Sequence, residues 1–402
     1  MGMQLQSGRR YDVDALRVLA FAVLILYHVG MYYVAEWDWH IKSEQQYEWL
    51  QDVMLLVNQW RMCLLFMLSG MALALVNSKY SAGGLIWLRS KRLLIPLIFA
   101  MYVIVAPQLF YQLQVNEGYQ QPYLTFWLQY IHAPADFFPE YQRSIGLLTW
   151  NHLWYLPYLW VYTCIMLVIG GPFKKLAQLA MLQKVKLWHL MVILVLIQTS
   201  CWMTYGQKFP DTHDLIHDWY AHSKYLLALV VGYLLVYQKS WWQSCVEKRK
   251  ILLSVALCTY GFIWLDHHDL LPTLLDMSDY PLTRQSMFSA LYFINRYVWL
   301  FAVLGYGAYY LNRPSSYLTY ANTAILPWYI FHQTLIIVVA MALRDLDLTM
   351  SLEAPLILLI TCLGCYLGYE LVRRVALLRF LFGLKVANAA PLSQTRRCDV
   401  QG

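Results

Sequence analysis

Apolar residues gather along the chain into long runs separated by short polar stretches. Ten such runs lie near 15–35, 51–77, 93–113, 150–170, 187–206, 220–238, 251–265, 285–311, 321–343 and 354–373. A helix rises about 1.5 Å per residue, so most of these runs match the ~30 Å hydrocarbon core of a bilayer. The pattern predicts an all-α, polytopic integral membrane bundle of about ten transmembrane helices with no separate soluble domain. The run at 251–265 is the shortest and ends in Asp266-His267-His268-Asp269. The first run, led by Arg9, Arg10 and Arg17, is not followed by a small-x-small cleavage site and is read as a retained helix. Residues 1–385 are expected to form one membrane-embedded domain, and 386–402 a short, disordered cytoplasmic tail.

The polar stretches orient the bundle. With the N-terminus inside, the inner segments hold 22 Lys and Arg residues, and the outer loops hold five: Lys42, Arg143, Lys208, Arg284 and Arg344. The positive-inside bias therefore predicts that both termini face the cytoplasm. No internal repeat is visible, which weighs against a transporter built from two related halves.

Composition agrees. Apolar residues make up 60% of the 402 positions and charged residues 13%, whereas a soluble domain carries about 25% charged residues. An ordinary soluble enzyme, a disordered chain and a fibrous chain are excluded. The net charge of +7 follows from the inner bias and a basic tail, so no nucleic-acid partner is implied. Of the eight cysteines, six fall in or beside apolar runs, where a free thiol behaves as a small hydrophobe. The Cys362-x-x-Cys365 pair has no βαβ context and no second pair, so neither redox nor metal use is expected. Asp266-His267-His268-Asp269 lacks a ligand spacing and is expected to be a solvated loop. No metal and no bound cofactor are predicted.

Ionisable groups inside a membrane cost a few kcal/mol each on insertion scales, which makes each one a candidate for function. The first helix carries Asp14, Arg17 and His28. Eleven residues separate Arg17 from His28, so they share a face, with His28 about 16 Å deeper. Tyr32 lies one turn beyond on nearly the same stripe. The second helix repeats the eleven-residue spacing with Asn58 and Ser69, and Arg61 lies between them; Ser69-Gly70 marks a close backbone approach. His332 in the ninth helix reaches a similar depth to His28, and Arg296 and Glu370 complete the buried set. Arg89 and Arg92 lie on the inner surface. His152 and Trp154 open the fourth helix at its outer end. Singly, each has a plainer reading: a packing histidine, a positive-inside anchor, an aromatic belt. Deep histidines, an inner basic cluster and an aromatic outer face together point to chemistry.

Five motifs carry a resemblance. They are Asp14-Ala15-Leu16-Arg17 with R-x10-H to His28; Phe66-Met67-Leu68-Ser69-Gly70; R-x-x-R at Arg89 and Arg92; His152-Leu153-Trp154-Tyr155-Leu156; and Tyr329-Ile330-Phe331-His332-Gln333. In this order, across residues 10 to about 385, the chain resembles the acyltransferase-3 family of bacterial inner-membrane proteins. Trp39-His40, Arg61-Met62 and Tyr369-Glu370 followed by Leu377-Leu378-Arg379-Phe380-Leu381-Phe382 resemble members associated with succinylation of periplasmic glucans. Thr334 stands where a proline is common after His332-Gln333.

The resemblance implies a multi-pass enzyme of the bacterial inner membrane. It would move an acyl group, succinyl or acetyl, from cytoplasmic acyl-CoA to a hydroxyl of a periplasmic or surface glycan, alone or with a periplasmic partner or a second copy. On that reading, Arg89, Arg92 and Ser69 bind acyl-CoA, and His28 is the general base or transient acyl carrier, with Asp14 and Arg17 shaping its approach. Arg61 stabilises the oxyanion or holds a dicarboxylic acyl group. Asn58, Tyr32, His152, Trp154, His332, Arg296 and Glu370 line the acyl or acceptor pocket, and the loops 36–50 and 114–149 stack on sugar rings. The rival reading is a transporter in which His28, Arg61, Arg296, His332 and Glu370 line an ion or anion path, with Pro107, Pro157 and Pro327 breaking its helices.

Overall fold

The computed structural model describes residues 9–76, 80–132, 134, 136–141, 147–271 and 281–385. The expected tail at 386–402 lies outside the described residues. Sixteen α-helices occur among them, and no strand: α1 (Tyr11–Tyr33), α2 (Trp49–Asn58), α3 (Arg61–Val76), α4 (Ala82–Val103), α5 (Ala106–Glu117), α6 (Tyr123–His132), α7 (Tyr155–Gln178), α8 (Ala180–Gln183), α9 (Leu187–Cys201), α10 (Trp219–Leu235), α11 (Lys239–Glu247), α12 (Arg249–His267), α13 (Pro281–Tyr310), α14 (Ser316–Leu343), α15 (Met350–Val372) and α16 (Ala376–Leu381).

Among the described residues, eight helices are long and apolar enough to cross a membrane. A ninth span is counted if α10 and α11, bent by 99° at their junction, are taken together. The expected run at 251–265 falls in α12, which is not among them. Arg249 and Lys250 at one end and Asp266 at the other leave only a short apolar centre. Of the three prolines expected to break helices, two lie at helix ends. Pro107 offers no N–H to the Val103 carbonyl, and the α4–α5 span breaks at Ile104–Val105. Pro157 sits in the first turn of α7, where an N–H has no intrahelical partner in any case. Pro327 alone of the three lies within a long helix, α14.

α3 is the central helix, buried from Arg61 through Met71. It crosses α10 backbone to backbone. A Cβ placed on Gly70 would lie 1.9 Å from the Leu229 carbonyl oxygen, and one on Gly232 1.9 Å from the Met67 oxygen. Small residues permit this approach, which replaces the hydrophobic driving force that lipid removes between helices. At the periphery, α9 and α15 expose Leu196, Ile197, Leu359, Leu363 and Leu367, the surface that lipid would solvate. The segment 114–149, expected to face an acceptor, instead contributes α6. Its Phe126 and Tyr130 form a separate small core with Phe110 and Leu113 of α5. His267 and His268 are also not simply solvated: they face Glu36 at 3.9 Å and Asp52 at 2.9 Å.

Candidate active site

α1 and α14 run side by side, and their shared seam carries two polar rungs. At one end Arg17 donates to the Asn322 side-chain oxygen at 3.2 Å, and the Asn322 amide donates to Asp14 at 3.2 Å. Asp14 also holds Arg9 at 2.8 Å and faces Arg17 at 3.6 Å. Eleven residues along α1, His28 Nδ1 meets His332 Nε2 at 2.9 Å, with the rings stacked 5.0 Å apart. The stripe read from the eleven-residue spacing is therefore the face that α1 turns to α14.

His28 borders a cavity of about 710 Å³ enclosed by α1, α3, α10, α13 and the segments between them. Of the sequence candidates, His28, Asn58, Arg61, His152, Trp154 and Arg296 line it, and His332 lies directly behind His28. Tyr32 does not reach it. It is buried beside Tyr33, because four helical residues turn 400° and leave Tyr32 off the His28 line. Glu370 does not reach it either, and is bound to Tyr320 at 2.8 Å, Arg373 at 2.7 Å and Arg374 at 3.1 Å near the end of α15. Asp14 and Arg17 lie outside the cavity at the far rung. No described residue of 114–149 lines it.

The electrostatics of the cavity are one-sided. Arg61, Lys224 and Arg296 face it, and Asp211 is the one carboxylate among the described lining residues. Asp211 is taken by Lys224. Arg296 donates to the Gln59 carbonyl at 3.0 Å and to the Gln198 side chain at 3.2 Å. Arg61 is only 8% exposed, its Nε and one terminal nitrogen have no hydrogen-bond partner, and its guanidinium lies 3.1 Å from the Tyr27 ring centroid. A buried guanidinium with open donors beside a cavity is an anion receptor in waiting.

Lys224 and Asp211 were missed in the sequence because neither belongs to a motif. A signal did exist for Lys224: after the flanking basic residues are assigned, Arg61, Lys224 and Arg296 are the three cations left inside spans, and all three face the cavity. Asp211 comes from the loop 207–218, which Asp218 pins. The fully buried Asp218 carboxylate accepts from Thr212 N at 2.8 Å, Thr212 Oγ1 at 2.7 Å, His213 N at 2.6 Å and Tyr158 OH at 2.5 Å. That arrangement lays His213 on the Trp154 ring at 4.1 Å. Gln108 is a second omission. Its side chain, fully buried, accepts from Asn151 and Gln333 at 3.0 Å each and donates to Thr334 at 2.7 Å and to His152 at 3.3 Å. Thr334, in place of proline, donates to the Ile104 carbonyl, at the helix break before Pro107, at 2.7 Å.

On the other side of the histidines, Ser69 and Tyr155 share a hydrogen bond at 2.5 Å. Tyr155 lies within electrostatic reach of Arg17 and Arg89, and Arg89 within reach of Arg92. Tyr155 packs edge-on to Tyr329 at 6.3 Å, and Tyr329 borders the cavity. The three guanidinium groups and the cavity are thus joined through Ser69, Tyr155, Tyr329 and the histidine pair. Among the described residues no cluster of His, Cys, Asp and Glu gathers to hold a metal, and all seven described cysteines are free.

Comparison with known proteins agrees with these features. Glucans biosynthesis protein C of Escherichia coli (strain SMS-3-5 / SECEC) is 25% identical over 162 residues, and that of Shigella boydii serotype 4 (strain Sb227) is 24% identical over 162 residues. Each match covers 39% of this chain and 38% of the relative, so the chain spans little more than a third of the curated relatives it matches. No solved structure matches the chain. A family model described as an acyltransferase domain matches residues 10–370, which takes in the basic cluster, the histidine pair and the whole cavity. The chain belongs to the acyltransferase-3 family, and its long apolar helices make it a multi-pass membrane protein.

Proposed function

We propose that the protein is an O-acyltransferase of the bacterial inner membrane that moves a succinyl or acetyl group from cytoplasmic acyl-CoA to a hydroxyl of a periplasmic or surface glycan. The observation that carries the reading is the position of His28, which borders an anion-receptive cavity and shares α1 with Arg17, the guanidinium within electrostatic reach of Arg89 and Arg92 on α4. Arg89 and Arg92 hold the phosphates of acyl-CoA, as guanidinium groups commonly do. Arg17, kept in place by Asp14 and Asn322, borders the entry. The thioester passes Ser69 and Tyr155 to reach His28.

The acceptor occupies the cavity against the aromatic rings of Trp39, Trp154 and Trp202. His28 takes the hydroxyl proton as the new ester C–O bond forms, and Arg61 receives the oxyanion charge. The C–S bond then breaks, and His28 returns the proton to the CoA thiolate. No metal or bound cofactor enters the scheme. The bias of Lys and Arg supports an outward-facing cavity, because its loop residues Trp39, Asp211 and His213 belong to segments with few basic residues.

The test is mass spectrometry of periplasmic and surface glycans from cells expressing the wild type, His28→Ala, or neither. The expected result is a mass gain of one succinyl or one acetyl substituent with the wild type alone. Identical spectra in all three, with both proteins folded in the membrane, would overturn the reading and direct attention to solute flux.

A further inference from the structure

The hydrogen bonds around His332 fix more than its position. Its Nδ1 faces two carbonyl oxygens of its own helix, Tyr329 at 2.9 Å and Trp328 at 3.2 Å. A carbonyl has no proton to give, so Nδ1 carries the hydrogen. The ring is fully buried, and none of the histidine ion pairs among the described residues involves it. A buried imidazolium without a counter-ion is costly, and the neutral ring leaves Nε2 as an acceptor. The hydrogen of the His28–His332 bond therefore sits on His28 Nδ1. His28 Nε2, on the side of the ring away from the His332 bond, is left as a bare lone pair, and the residue borders the cavity.

We propose that His332 is the positioning residue of the transfer reaction, holding His28 in the Nδ1–H tautomer so that Nε2 is the base. The catalytic half of this proposal rests on the reading of His28 given above; the tautomer does not. His332 takes the place that a carboxylate occupies behind the histidine of a hydrolytic triad, but as a neutral acceptor. When His28 Nε2 takes the hydroxyl proton, both of its nitrogens are donors, and the bond to His332 Nε2 remains intact. His332 has no route for passing a proton onward, because its second nitrogen is spent on the carbonyls of α14. The proton taken from the acceptor hydroxyl stays on His28 until the thiolate of CoA leaves and receives it. Phe21 edge-on at 5.4 Å and His152 edge-on at 5.1 Å keep the His332 ring from turning.

Two readouts test this. The first is the ¹⁵N NMR spectrum of the full chain labelled at histidine in detergent micelles, with His28 assigned by comparison with His28→Gln. The expected result is a protonated Nδ1 and an unprotonated Nε2 for His28; the reverse pattern overturns the proposal. This readout needs no substrate, so it stands or falls apart from the acyl-transfer reading. The second compares His332→Gln, whose side-chain oxygen can still accept from His28, with His332→Leu, which cannot. Under the proposal, kcat for acyl transfer falls roughly 100-fold or more in His332→Leu with KM for acyl-CoA unchanged, and His332→Gln recovers most of it. Equal loss in both variants, in protein that remains folded, overturns it.

Discussion

Asp211 is the counter-ion of Lys224, and it reaches that lysine from a loop while Lys224 sits on α10 in the wall of the cavity. The pair leaves Arg61 and Arg296 as the cavity's unopposed charges. The side chain of Lys224 is 11% exposed and that of Asp211 31%, so removing Asp211 strands a buried ammonium at a cost below that of breaking a fully buried pair. Asp211→Asn is expected to lower the thermal stability of the purified protein markedly. Adding Lys224→Met to that variant is expected to restore much of the loss, because the stranded charge is then gone. A double-mutant cycle by thermal denaturation in detergent measures this coupling; additive losses would mean the pair is not coupled.

Acid acts on the same loop through His213. Burial pushes His213 below its ordinary value, against the pull of Asp211 and Asp218 and with the push of Lys224 and Arg61. The unfolded chain then binds more protons than the folded one below about pH 6.5, so stability falls as pH drops through that value. Asp211 behaves differently. Burial acts to raise its carboxyl, but Lys224, His213 and Arg296 outweigh it and hold it below the usual range. Its contribution is present above the ordinary carboxylate value and is lost only as pH falls through the depressed one. Thermal unfolding between pH 5 and 8 is therefore expected to show a shallower acid-side slope in His213→Gln than in the wild type, the remainder coming from the other buried histidines.

Arg61→Gln is expected to lower acyl transfer by about 10²-fold, the usual loss on removing one donor to a developing oxyanion. Competition between succinyl-CoA and acetyl-CoA separates its two possible duties. Equal loss for both donors assigns Arg61 to the oxyanion, whereas loss confined to succinyl assigns it to the far carboxylate of the acyl group.

Arg89→Ala and Arg92→Ala are expected to act on donor binding. A charge-assisted hydrogen bond contributes about 1.5–3 kcal/mol, so KM for acyl-CoA should rise about 10- to 100-fold with kcat largely kept. Steady-state kinetics against acyl-CoA decide it, and a fall in kcat at unchanged KM would place these residues in the chemical step instead.

Gly70→Ala puts a methyl group into the Leu229 main chain, which no side-chain rotation relieves. Overpacking of this kind costs about 1–3 kcal/mol or more. The expected outcome is a lower melting temperature and less folded protein after detergent extraction. Gly171→Ala, where a Cβ meets nothing within 4 Å, serves as the control.

Much of this was legible in the sequence, and the reasons differ from residue to residue. Apolar run length located most of the spans because the bilayer imposes it; at 251–265 terminal charges shorten the apolar centre, and the run at 220–238 spans only if α10 and the sharply bent α11 are taken together. Helical spacing found the face that carries Arg17 and His28, since both meet α14. The stripe does not carry as far as Tyr32, which one further turn leaves off the His28 line, and Glu370, picked out as an ionisable group in a span, meets Tyr320 and its own helix's arginines instead. Gln108 was invisible for a different reason. It is a neutral amide in an apolar stretch, and its four partners come from segments that only the folded chain brings together. Asp211 required knowing that the loop 207–218 folds back into the cavity, which depends on the four hydrogen bonds of Asp218 rather than on any local pattern.

The glycine crossing of α3 and α10 also sets a distance. Arg61 lies nine residues before Gly70 and Lys224 eight residues before Gly232, so the two cations stand about 13.5 Å and 12 Å from the crossing along their own helices. Main-chain contact lets neither helix slide without the other. The two charges therefore behave as the fixed jaws of a gauge. Opening of the cavity is then expected to come from α1, α13 or the loops moving against this pair, with the α3–α10 spacing held by the main-chain contact.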